Sequence, residues 1–272
     1  MSRFIKPRSN LKLLADNSYK AIDEGAYNAE NYDFKRHDSI SLKKAIISCN
    51  HTPIITEIKF ASPSKGQIVA QTEINLIQLA FNMISSGSIG LSVLTQPYLF
   101  NGSIDYIYSI RKKIPVPILM KDIIVSDIQI DAAKRVGADC VLLIKAIFDQ
   151  NLAENGLEKL AEYAYRKGLQ ILVEVHSENE FADCLKLKEN YRDLIGINNR
   201  DLNDLQIDVL TTYRLLKKFD KGKNIIISES GIQNTDDIRY LKNAGADAFL
   251  IGTSIMESNN IASKVREFYL ST

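Results

Sequence analysis

Glu57 and Lys59 stand two residues apart in Ile54-Ile55-Thr56-Glu57-Ile58-Lys59-Phe60, an apolar run that leads into Ala61-Ser62-Pro63-Ser64-Lys65-Gly66. A strand alternates faces with period two, so the carboxylate and the ammonium project to the same side. Buried charges are costly unless paired or used. The pair therefore marks either the mouth of a site or an edge strand with solvated charges. The same juxtaposition recurs. Thr95, Lys121-Asp122 and Lys145 each follow an apolar run, and Glu174 lies at the end of another. Asn198-Asn199-Arg200, Glu229-Ser230-Gly231 and Gly252-Thr253-Ser254 close three more. Lysines 59 and 121 with glutamates 57 and 174 make an acid–base set that can also hold an anion, each charge tuning its neighbour's pKa in a drier pocket. This chemistry calls for no metal and no cofactor.

The apolar runs that must carry these residues cover 54–58, 89–94, 116–120, 140–144, 171–175, 194–197, 225–227 and 248–251, rich in Ile, Val and Leu. Helix-like segments lie between them. Ile74, Ile77, Phe81 and Ile84 share one helical face, with Gly87 as a stop. Ser126-x-x-Gln129 and Ser177-x-x-Glu180 fit the capping-box pattern at helix starts. Continuously apolar strands alternating with helices require a parallel sheet covered on both faces. Eight such units favour a (β/α)8 TIM barrel over a doubly wound open sheet. Gly137-Ala138-Asp139 echoes Gly245-Ala246-Asp247, each a helix stop leading into a strand, which relates the fourth unit to the eighth. Residues 1–50 read as an N-terminal helical extension with Leu11, Leu14, Ala21 and Ile22 on one face, and residues 51–272 as the catalytic barrel.

On a barrel, these strand-end residues converge on one rim. Ser230-Gly231 and Gly252-Thr253 offer small residues, hydroxyls and backbone N–H groups after the last two strands, where a phosphate is commonly cradled. Composition narrows the rest. The chain has 272 residues, 45% apolar and 25% charged, with net charge +1 and no basic stripe, which argues against nucleic acid or an anionic membrane as partner. No apolar run is long enough to span a bilayer, and no apolar segment follows the basic start. Cys49, Cys140 and Cys184 match neither a disulfide nor a metal pattern, so a cytoplasmic setting is expected.

The motifs Glu57-Ile58-Lys59-Phe60-Ala61-Ser62-Pro63-Ser64-Lys65-Gly66, Phe100-Asn101-Gly102-Ser103, Leu119-Met120-Lys121-Asp122, Leu172-Val173-Glu174-Val175, Gly196-Ile197-Asn198-Asn199-Arg200, Ser228-Glu229-Ser230-Gly231 and Ile251-Gly252-Thr253 together resemble those of the indole-3-glycerol-phosphate synthase family, in family order from residue 53 to about 257. The resemblance implies a small-molecule substrate, 1-(2-carboxyphenylamino)-1-deoxyribulose 5-phosphate, which is ring-closed, decarboxylated and dehydrated in tryptophan biosynthesis. It also implies roles. Lys121 serves ring closure, Lys59 with Glu57 serves dehydration, Glu174 assists proton transfer, and Asn198 orients hydroxyls or a carboxylate. Ser230 joins this catalytic group beside the phosphate cradle of Gly231, Gly252 and Thr253. Ser62, Phe100 and Arg200 line the anthranilate end. The loop 60–66 is expected to cover bound substrate. The resemblance leaves room for association with other tryptophan-pathway enzymes.

Thr253 replaces a more usual Ser, Lys145 occupies an expected apolar position, and His176 has no assigned role. Three other readings stay open at this stage: a phosphosugar isomerase, which would release no CO2; a Schiff-base aldolase using Lys121, which borohydride would trap; and a phosphosugar-binding barrel without turnover.

Overall fold

Strands that are apolar on both faces need helices outside and one another's side chains inside, and they obtain both by closing on themselves. The computed structural model describes residues 10–32, 38–62, 66–67 and 75–271. Its strands are β1 Ile54–Ile58, β2 Gly90–Leu94, β3 Ile118–Lys121, β4 Cys140–Ile144, β5 Gln170–Val175, β6 Leu194–Asn198, β7 Ile226–Glu229 and β8 Ala248–Ile251. Each pairs in parallel with the next, and β8 returns to β1 with Ile54 opposite Phe249. The (β/α)8 barrel is therefore closed, and the open-sheet alternative falls. Among the described residues, no helix is long and apolar enough to cross a membrane.

The register decides what the interior contains. On β1, β3, β5 and β7 the inward residues Ile55, Leu119, Leu172 and Ile227 belong to one buried apolar cluster. Two residues further along, on the same face, come Glu57, Lys121, Glu174 and Glu229. Interiors of such barrels fill in layers of four contributed by alternate strands. Here an apolar layer supports a charged one.

The Gly-Ala-Asp echo has a physical basis. Gly137 and Gly245 end their helices at φ 88° and 115°, a left-handed conformation that costs glycine no Cβ clash. The aspartates that follow then fasten the barrel floor. Asp139 donates its N–H to Ile118 O at 2.9 Å and accepts the Ile118 N–H at 2.8 Å, and Asp247 does the same with Ile226 at 2.8 and 2.7 Å. Asp193 accepts the Ile171 N–H at 3.1 Å, and Ser88 Oγ accepts the Thr56 N–H at 3.2 Å. Backbone N–H groups of four strands are thereby bonded by side chains. Asp139 additionally pairs with the buried Arg111 and accepts the Ile40 N–H.

The extension straddles the barrel. Helix α1 (Asn10–Asp23) buries Leu11, Leu14, Ala15, Ser18 and Ala21, and Leu11, Leu14 and Ala15 join Ile123, Val125 and Ile147 beyond the ends of β3 and β4. Helix α2 (Leu42–Ile47) stops the opposite end, where Leu42 and Lys43 donate their N–H groups to Gln170 Oε1 and Leu42 lies close to Gly90.

Helix α3 (Leu76–Ser85) corrects the expected face. Ile77 and Ile84 are only partly buried and Phe81 is 58% exposed, while Leu79, Ala80 and Met83 are buried. Apolar residues surround most of this helix, so periodicity did not single out the face that meets its neighbours. Ile74 lies outside the described residues. Gly87 follows the helix as its stop at φ 116°. The box at Ser126 and Gln129 forms as expected. At Ser177 the helix begins on schedule, but Glu180 Oε2 accepts from His176 N rather than from Ser177 N.

Asp139→Ala should destabilise the protein by about 3–5 kcal/mol, because Arg111 is left buried without its partner. Asp193→Ala, which loses one backbone contact, should cost about 1 kcal/mol. Urea unfolding of the two variants checks the ratio, and equal losses would contradict this account of the floor.

Candidate active site

Four strand ends bring the charged layer together at the floor of a cavity of about 550 Å³. Lys121, the last residue of β3, reaches Glu174 Oε2 at 2.8 Å and also pairs with Glu229 Oε2. Lys59, just past β1, lies 2.8 Å from Glu57 Oε1. Glu57, Glu174 and Glu229 are 5%, 3% and 1% exposed, so these charges interact with little screening by water.

Their protonation follows from that packing. Burial alone would push Lys121 down, yet Glu174, Glu229 and Glu57 outweigh it and hold the ammonium above its ordinary pKa. Burial pushes Glu174 up, but the charge and hydrogen bond of Lys121, with a hydrogen bond from Asn198, bring it below the usual carboxylate value. Glu229 goes the other way. Burial raises it, Lys121 opposes, and the nearby charges of Glu174 and Glu57 add to the rise, to about 8. One carboxylate beside Lys121 is thus ionised at neutral pH while the other carries a proton, two environments tuning like groups apart.

The remaining expected residues sit around this floor. Asn198, at the end of β6, also accepts the Arg200 N–H at 3.0 Å on its Oδ1. Arg200 donates to Leu205 O at 3.0 Å, which presents its guanidinium at the cavity wall beside Leu202, Leu205 and Ile207. Burial pushes that guanidinium's pKa down, and Glu57 works against the fall. Phe100 lines the same cavity, as do Ser230, Gly231, Gly252 and Thr253. Ser230 and Gly231 take φ 65° and 83°, turning the chain sharply after β7. Ser62 pairs through its backbone with Gly66 in a two-residue hairpin. Its side chain, and Pro63-Ser64-Lys65 of the expected covering loop, lie outside the described residues.

Gly252 lies against the charged floor. A Cβ there would lie 2.6 Å from Glu57 Oε1, so any side chain at this position would displace Glu57. Lys145 turns away from the cavity, its buried stem ending in a pair with Asp149. His176 donates from Nδ1 to Asn198 O over 2.7 Å, outside the cavity wall.

Three contributors are absent from the sequence-derived set. Glu229 was named at its strand end but not counted among the acid–base groups. The alternation that selects Glu57 and Glu174 selects it equally, two residues past the inward Ile227. Asp122 is a buried node. Tyr27 from the extension donates its hydroxyl across both carboxylate oxygens at 2.8 and 2.9 Å, Thr95 bonds it as well, and the Ile123 N–H adds 2.7 Å. Burial pushes Asp122 up, and these donors hold the rise to about 6. Leu14 of α1 forms part of the cavity wall. No local pattern could have paired the extension with this rim, since the contact spans 95 residues.

The fold and the cavity define a (β/α)8-barrel enzyme. The family model described as indole-3-glycerol phosphate synthase matches residues 16–268, and the chain belongs to that family, carboxy-lyases of tryptophan biosynthesis that act on a small phosphorylated molecule. The indole-3-glycerol phosphate synthase of Methanocaldococcus jannaschii is 42% identical over 243 residues, 88% of this chain and 86% of that protein. Those of Acetivibrio thermocellus and Aquifex aeolicus are 38% and 39% identical, covering 85% and 86% of this chain and 85% and 87% of theirs. The solved thiamine phosphate pyrophosphorylase of Pyrococcus furiosus shares the fold, with a TM-score of 0.57 at 14% identity over 84% of this chain and 96% of its own.

Glu229 supplies a pH test. Its folded pKa of about 8 exceeds the ordinary 4.5, so between these values the folded state binds more protons and its stability falls as pH rises. Glu229→Gln removes this slope and should gain thermal stability on wild type as pH climbs from about 5 to about 8. Parallel melting curves for the two proteins across that range would contradict the assignment.

Proposed function

We propose that the charged floor closes and then dehydrates the indole ring of 1-(2-carboxyphenylamino)-1-deoxyribulose 5-phosphate, with its phosphate at Ser230-Gly231 and Gly252-Thr253 and its aromatic end towards Phe100, Arg200 and Ser62. In ring closure the aromatic carbon bearing the carboxylate attacks the sugar ketone, and the carbonyl oxygen takes a proton. The carboxylate then leaves as CO2 and its bonding pair restores the ring. A second proton leaves with the hydroxyl as water, and a base removes a proton from the ring carbon between the nitrogen and the carbon that lost the hydroxyl, which completes the indole double bond. Two donations against one abstraction make a net uptake of one proton.

The site suits that balance. Lys121 supplies the first proton, in reach of the ionised Glu174 and the protonated Glu229. Lys59 with Glu57 serves the departing hydroxyl, and Glu174 assists proton transfer while Asn198 holds it. The observation that carries this reading is Lys121 clamped between Glu174 and Glu229. An amine held protonated among these carboxyl groups also argues against the Schiff-base alternative, which needs a free lone pair. The division into an extension over 1–50 and a catalytic barrel over 51–272 belongs to the same proposal, with Leu14 and Tyr27 of the extension completing the rim.

Lys121→Met should keep its fold and lower kcat by roughly 100- to 10,000-fold, the range expected for a lost general acid. KM should change far less, because the phosphate is held by other strands. Indole fluorescence reports turnover cleanly, since the chain has no Trp. Near-wild-type kcat in a folded variant would overturn the proposal.

A further inference from the structure

Glycine in the middle of a strand weakens it and packs nothing, so its presence there asks for a reason. Gly196 is the central residue of β6, flanked in register by Glu174 on β5 and Ile227 on β7. Its φ lies outside the left-handed range, so no backbone constraint demands glycine. The demand is spatial. A Cβ at Gly196 would lie 2.1 Å from Glu229 Oε1, 3.2 Å from Glu229 Cδ and 3.3 Å from Leu172 Cδ1. The only severe overlap is with the tip of the glutamate. Oε1 is buried and has no hydrogen-bond partner among the described groups, while Oε2 is held by Lys121. The carboxyl therefore descends one layer below its own, into the place a side chain on β6 would fill. The same device recurs at Glu57, over Gly252 just past the neighbouring β8.

We infer that Gly196 is a positioning residue for the reaction: by having no side chain, it seats the Glu229 carboxyl at the depth from which Oε2 meets Lys121. The inference rests on the reading of Lys121 and Glu229 as partners in the acid–base set. It assigns Gly196 no contact with substrate. A methyl group there meets the far end of a flexible chain rather than backbone, so the barrel accommodates it by lifting the carboxyl off its seat and away from Lys121. The cost then falls on catalysis more than on stability.

The test compares Gly196→Ala in the wild-type and Glu229→Ala backgrounds, reading kcat, KM and thermal melting. In the wild-type background kcat should fall by about 100-fold or more, with KM changed by less than about threefold. In the Glu229→Ala background, where no carboxyl remains to displace, adding Gly196→Ala should change kcat by less than about threefold. Equal losses in both backgrounds, or near-wild-type kcat in folded Gly196→Ala, would overturn the proposal. If Gly196→Ala alone does not fold, the double variant must fold, because its clash has been removed. A double variant that is also unfolded overturns the proposal. Failure of the underlying reading is distinguishable, since it would appear as full activity in Lys121→Met whatever happens at Gly196.

Discussion

One ammonium among three buried carboxyl groups is the constraint on which this molecule turns. Lys121 meets Glu174 and Glu229 directly and feels Glu57, in surroundings where each charge is almost wholly removed from water. Such a group is stable only if its geometry is held from outside, because breaking one contact strands the others. In the proposed mechanism it is also the source of reactivity. The excess of carboxylates keeps the lysine charged, and the lysine keeps Glu174 ionised. The surplus negative charge, added to burial, is relieved by leaving a proton on Glu229.

The rest of the fold reads as the support this cluster requires. Alternate strands deliver the four side chains at one height above a layer of Ile55, Leu119, Leu172 and Ile227. Aspartates 139, 193 and 247 pin the floor through N–H groups at strand starts, so the register cannot slip without breaking buried contacts. Slippage by one residue would turn the whole charged layer outward. From above, Tyr27 and Thr95 hold Asp122, the residue after Lys121, while the Thr95 N–H binds the Lys121 carbonyl at 3.2 Å. The extension thus reaches Lys121 through one neighbouring peptide.

Much of this was legible before any coordinates. Eight continuously apolar runs gave the strands to within two residues at most ends, because a strand buried on both faces must be apolar throughout. Their ends gave the rim, and period-two alternation placed Glu57 beside Lys59. Other features were hidden for physical reasons. Glu229 obeys the same alternation, yet its weight comes from how deeply it sits, which depends on an empty position on another strand. The buried face of α3 was ambiguous because Ile77, Phe81 and Ile84 are as apolar as Leu79 and Met83. The weight of Asp122 was hidden because its donors Tyr27, Thr95 and Gln129 come from three different segments.

The central claim is that Lys121 works beside one ionised and one protonated carboxyl, and infrared difference spectroscopy between wild type and Glu229→Gln observes that proton directly. The account predicts a protonated-carboxyl carbonyl band at about pH 7, absent from the variant, that disappears with a midpoint of about 8. A wild-type spectrum without that band at about pH 6, where Glu229 would then already be ionised, would contradict it.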